Sequence, residues 1–214
     1  MTSSGFIDFA QTFYAELGRD NTKSWWDAHK KDYDTRLKAP ALALIEALTA
    51  PLSELYGEPV KGKLFRPHRD VRFSSDKRPY KEHIHMLWAI EAGGRQDPAL
   101  YLGVAPGYIR VGGGVRGMDK AVLEDWRKFV DLDAKRVGKV VNEVEALGFT
   151  FSEPDLVRTP RGFAADHPLE RLLRMKSVIV MKDLPKTDDL EAGLMAEFRN
   201  VKPAIDLLVS VSCA

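Results

Sequence analysis

The sequence predicts a single α+β domain with a largely antiparallel central sheet and flanking N-terminal and C-terminal helices. Three observations predict this. Apolar residues recur at helical spacing through the first sixty positions, the period changes in the middle of the chain, and helical spacing returns toward the C-terminus. Strictly alternating strand–helix–strand units, the mark of a doubly wound parallel sheet, are absent. The expected organisation is one domain over 1–214, with a helical part at 1–60, a strand-rich centre at 61–118, and helices plus one further strand at 119–214.

Phe6, Phe9, Phe13 and Leu17 define the first helix, which Gly18 ends. Asn21 and Thr22 are candidate caps for a second helix through Trp25, Trp26, His29 and Tyr33. Pro40 is expected to kink or restart the path, because its ring removes a backbone donor. Leu42, Leu44, Ile45, Leu48, Leu52 and Leu55 continue as a third helix, closed near Gly57 and Pro59. His83 to Ala92 is rich in large apolar residues and bounded by Gly93 and Gly94. Leu100–Ala105 and Tyr108–Val111 read as a hairpin across Pro106-Gly107. Gly112-Gly113-Gly114 is expected to break the pattern as a bulge, bend or close backbone contact. Helices follow from Asp119 through Phe129, from Lys135 to Leu147, and briefly from Pro168 to Arg174. Lys176–Met181 is the further strand, and Asp188 to about Val209 the closing helix.

Hydrophobic residues make up 44% of the 214 and charged residues 29%, ordinary values for a globular protein. A chain of this size buries enough surface to need no disulfide, and Cys213, its one cysteine, can form none within the chain. The N-terminus lacks the basic and apolar regions of a secretory signal, and no window approaches the roughly 20 apolar residues of a bilayer span. A cytoplasmic protein without a membrane partner is the expectation. Oligomeric state and cofactor are left unspecified by any motif.

Charge is distributed unevenly. Lys61 to Lys81 (KGKLFRPHRDVRFSSDKRPYK) holds eight Lys or Arg against two Asp, a local charge of +6 in a protein of net charge +1, so the remainder sums to −5. That balance argues against a dedicated duplex-DNA binder. The segment either grips an anion or forms an internal ion-pair lattice. Arginine suits the first because its planar fork binds phosphate or carboxylate bidentately. In an extended Val71–Ser74, Arg72 and Asp70 share a face, where the carboxylate could orient the guanidinium or neutralise it. Ser75 or Asp76 followed by Pro79 suggests entry into a turn or short helix, whose free backbone donors would add to an anion site.

Other polar clusters are weaker signals. His83 and His85 would share a strand face and could ligate zinc if Asp70, His68 or His167 converged on them, but no cysteine cluster or HExxH spacing supports a metal. The glycine triplet lacks phosphate-loop spacing. Asp166-His167-Pro168 reads either as acid–base chemistry or as the cap of the short helix that follows. The four tryptophans fit core positions.

Several of these stretches together, FRPHRDVRFSSDKRPYKEH, WWDAHKKDY upstream, GGG after the hairpin, and RGFAADHP…LLRMKS downstream, resemble the bacterial family called domain of unknown function 2461. The resemblance spans Phe6 to Leu208. Arg66, Arg69, Asp70, Arg72, Phe73, Ser74, Asp76, Lys77, Pro79, Tyr80 and Lys81 match the family's wording, as do Gly113, Gly114, Arg161, Gly162, Phe163, His167, Pro168 and Lys176. His68 and Arg78 depart from it. The resemblance implies no particular activity, cofactor or catalytic residue.

The functional expectation is therefore a site for a small phosphate- or carboxylate-bearing ligand. Arg66, Arg69 and Arg72 would supply charge, oriented by Asp70, with Ser74 beside them. Lys77 and Lys81 would close the rim, Tyr80 would offer a hydroxyl, and Arg161 and His167 would form a second wall. Whether chemistry follows binding is open. The alternatives are single-stranded nucleic-acid binding, which the Phe65 and Phe73 interleaving permits, and a structural or interaction protein whose arginines pair internally.

Overall fold

Periodicity in the first sixty residues becomes a nearly continuous helical hairpin. The structure, a computed structural model describing residues 3–213, opens with α1 (Ser3–Arg19) and α2 (Lys23–Asp32), the latter capped by Thr22, whose hydroxyl accepts from the Trp25 N–H at 3.3 Å. Asn21, the other candidate cap, is engaged elsewhere, as described below. Pro40 neither breaks nor restarts the path. The helix widens instead into a π-helical turn, Tyr33–Lys38, and runs on as α3 (Ala39–Tyr56). Ala39 donates to the Asp34 carbonyl, an i to i−5 bond. A proline ring in a regular α-helix would press on the carbonyl four residues earlier, and the wider turn accommodates it.

The sheet has the order β1-β2-β3-β4-β6-β5 and is antiparallel throughout. Its strands are β1 (Val60–Leu64), β2 (Ile84–Ile90), β3 (Ala99–Ala105), β4 (Tyr108–Val115), β5 (Thr150–Phe151) and β6 (Val178–Asp183). Between them lie α4 (Lys120–Leu132), α5 (Ala134–Ala146) and α6 (Glu170–Leu173), and α7 (Leu190–Ser212) ends the fold. The α+β class and antiparallel sheet are as the sequence predicts. The glycine triplet does not break β4: it stays in register with β6, Gly112 opposite Met181 and Gly114 opposite Ile179.

Strand periodicity decides which face is buried. Ile84, Met86, Trp88 and Ile90 alternate inward on β2 and meet Val104, Leu102 and Leu100 of β3. Against this face pack α1 on β3, α3 on β1 and β2, and α7 on β4. With helices over one face, the other presents a separate set of rows. Lys63, Leu87, Tyr101, Gly112 and Met181 lie across from one another in register, and His85, Gly103, Arg110 and Asp183 form the next row. Among the described residues no helix is long and apolar enough to cross a membrane.

Candidate functional site

The basic segment connects β1 to β2, and two tethers hold it. An isolated bridge between His68 and Tyr80 is made by Arg69 N–H donating to Pro79 O and Lys81 N–H to Pro67 O, both at 2.8 Å. Asn21 then clamps Tyr80, donating from Nδ2 to its carbonyl at 3.0 Å and accepting its N–H at 3.1 Å. Tyr80 is buried, its ring stacked on Trp26 at 4.3 Å between centroids and 11° between planes. No helix forms at Ser74–Lys81. The expected entry at Pro79 is replaced by the bridge, whose hydrogen bond uses the Pro79 carbonyl.

Three of the segment's arginines are neutralised at short range. Arg72 grips Asp70 bidentately, Nε to Oδ1 at 2.9 Å and Nη2 to Oδ2 at 2.6 Å. Arg69 and Arg78 both donate to Asp76, at 2.6 and 2.7 Å, and Arg78 also reaches Glu82 at 2.6 Å. Hydrogen bonds from Arg78 and then Arg69 hold the Asp76 carboxyl well below the usual carboxylate range, and Arg72 lowers Asp70 in the same way. Such exposed pairs contribute little stability, about 0–1 kcal/mol each. Their effect here is on charge: Arg69 and Arg72 are each compensated by a carboxylate at short range.

A different trio is left over. Among the described residues Lys63, Arg66 and Lys81 form neither an ion pair nor a side-chain hydrogen bond, whereas Lys77, which also lacks a carboxylate, donates to the Val71 carbonyl. Lys63 and Lys81 approach the Phe65 ring, with ammonium-to-centroid distances of 5.3 and 5.6 Å. The Lys81 ammonium is pushed below its ordinary value by burial, then by Arg66 and Lys63. These are uncompensated like charges held together, an arrangement that an anion relieves.

Beside the trio lies an ordered polar chain on the open sheet face. The His83 and His85 rings stack at 3.7 Å, and His85 Nε2 lies 2.9 Å from the Tyr108 hydroxyl. Tyr101 leans across Gly103, where a Cβ would come within 2.2 Å of its hydroxyl. The Tyr108 hydroxyl and His85 Nε2 share one hydrogen bond, whose donor is set by the imidazole tautomer. Burial, then His83 and Lys81, push His85 down to about 3, and burial and Lys81 also lower His83. Both rings are thus neutral near pH 7. No third His, Cys, Asp or Glu joins them in a group able to hold a metal, among the described residues.

Neutral His85 has a consequence for stability. Its folded value lies below the ordinary 6.5, so between pH 6.5 and about 3 the unfolded chain binds the proton and the folded chain does not. Stability is full above pH 6.5 and falls as the pH drops through that window. His85→Gln is expected to flatten the slope of unfolding free energy against pH between 6.5 and 4, measured by urea melts. A slope equal to that of the parent protein would contradict the assignment.

The sequence-predicted residues therefore divide. Arg66 and Lys81 belong to the unpaired trio. Arg69, Asp70 and Arg72 sit in ion pairs, Lys77 donates to the Val71 carbonyl at 3.0 Å, and Ser74 lies in the same loop. Tyr80 is packed against α2. Arg161 and His167 are not brought to the segment. They precede α6, beyond the β6–β5 side of the sheet, while the segment joins β1 and β2 at the other. His167 is buried, accepts the Leu169 N–H on Nδ1 at 3.0 Å and lies 3.6 Å from Asp131, which makes it a local cap. Lys63, Tyr101 and Tyr108 were not singled out for the site by sequence reasoning, and Phe65 entered only as an aromatic that permits single-stranded nucleic-acid binding. The alternation of Lys61, Lys63 and Phe65 was the available signal, since period two places them on one strand face.

The sequence matches the family described as "Conserved hypothetical protein (DUF2461)" over residues 10–210, and the chain belongs to that family. No curated protein matches it.

Proposed function

We propose that the protein binds a small phosphate-bearing anion at Lys63, Arg66 and Lys81, on the open face of the sheet beside Phe65. The observation that carries this reading is the trio of cations left without an ion pair or a side-chain hydrogen bond in a segment where the neighbouring arginines are paired. A phosphate group offers several acceptor oxygens and can bridge ammonium and guanidinium donors at once. The neutral His83–His85 pair lies at the edge of the site, and Phe65 gives an apolar surface for the body of the ligand. The expected site thus shifts from Arg69 and Arg72 toward Lys63 and Lys81.

A thermal-shift screen of phosphate, sulfate, sugar phosphates, nucleotides and short oligonucleotides tests this reading. Stabilisation by phosphate monoesters is expected, lost in the Lys63→Ala/Lys81→Ala double variant. Stabilisation that persists in that variant contradicts the site. Oligonucleotides that outperform every mononucleotide, with affinity falling steeply with salt, would favour single-stranded nucleic acid instead.

A further inference from the structure

On the helix side of the same connection, the π-helical turn and the residues after β1 enclose a groove of about 410 Å³. That lies within the range of small-ligand sites, about 300–1,000 Å³. Its floor is aromatic and aliphatic: Trp26 and Tyr33 are buried, Leu64 and Pro67 flank them, and Leu42 projects from α3 at 46% exposure. The wide turn sets Tyr33, Lys38 and Leu42 along one side.

Charge at the rim is one-sided. Lys30 is neutralised by Asp34 one turn on. Lys38 and Arg66, which also line the groove, form no ion pair among the described residues. The Tyr33 hydroxyl makes no hydrogen bond there, and burial pushes it up to about 12, so near pH 7 it is a donor. An apolar floor with two unneutralised cations and a phenol donor complements a molecule with an apolar body and a single anionic head.

We propose that this groove is a second binding site, taking a small amphipathic carboxylate whose apolar body rests on Trp26, Leu42 and Leu64 and whose carboxylate meets Lys38 and Arg66. It goes beyond the phosphate site on the sheet face and shares with it the ridge of Phe65 and Arg66. Lys38 and Leu42 belong to the groove alone, and Lys81 to the phosphate site alone, so the two sites fail separately.

The probe is 8-anilinonaphthalene-1-sulfonate, itself an amphipathic anion, displaced by decanoate below its micellar concentration. Fluorescence is expected to rise with the folded protein and to be displaced by decanoate but not by decanol, which has the same chain without the charge. Lys38→Glu and Leu42→Asp, both at exposed positions, are each expected to weaken decanoate by about tenfold or more. Lys81→Ala is expected to leave it unchanged. Circular-dichroism melts confirm that each variant is folded. No fluorescence rise, equal displacement by decanol, or unchanged affinity in Lys38→Glu overturns the proposal.

Discussion

Gly112→Ala is expected to lower stability by at least about 3 kcal/mol, or to prevent folding altogether. Gly112 lies in β4 between β3 and β6, in the middle of the sheet. A Cβ there would come within 1.9 Å of the Val180 carbonyl oxygen and 2.8 Å of the Met181 Cα. Both are backbone atoms of the neighbouring strand, so relief requires β6 itself to move. Val180 is completely buried, and moving β6 would disturb its packing in the core. Gly107→Ala is the control. It sits at the β3–β4 turn with nothing within 4 Å of the added methyl, and its stability is expected to stay within about 0.5 kcal/mol. Urea denaturation of the two variants measures the contrast, and equal stabilities would contradict the close strand approach.

Trp26→Ala is expected to cost about 3–5 kcal/mol, because a large buried aromatic leaves a cavity that its neighbours fill only in part. Trp26 is 4% exposed, and its ring meets Tyr80, Tyr33, Phe13 and His68. The loss should also reach the basic segment, because Tyr80 is one half of the bridge that holds it. Hydrogen exchange reports this directly: the Arg69 and Lys81 amides, bonded to Pro79 and Pro67, are expected to lose protection beyond the global change. Trp26→Phe keeps a ring on Tyr80 and should cost less. Protection of the two amides that survives Trp26→Ala would show that the segment is held by other contacts.

Most of the fold was legible because its helices and hairpin bury regular stripes. Phe6, Phe13 and Leu17 mark α1, Val122 and Trp126 mark α4, and Pro106-Gly107 marks the β3–β4 turn. What escaped lacks a stripe. In β1, Val-Lys-Gly-Lys-Leu offers two charges and a glycine, and its strand character comes from pairing with β2. β5 is two residues long. The π-helical turn answers a steric demand of Pro40, which apolar spacing does not record. At the candidate site, the density of charge was visible but its pairing was not. Asp76 meets Arg69 seven positions away because the loop folds back on itself, and Glu82 takes Arg78. Those contacts, with the bond from Lys77 to the Val71 carbonyl, decide which cations are engaged, and they leave Lys63, Arg66 and Lys81.

Isothermal titration with phenyl phosphate tests that division most directly. The parent protein is expected to bind at one site, Lys81→Ala and Lys63→Ala each to weaken binding by about tenfold, and Arg72→Ala to change it less than about twofold. Loss of affinity in Arg72→Ala with Lys81→Ala unaffected, or no binding to the parent protein, would contradict the assignment of the anion site to the unpaired cations.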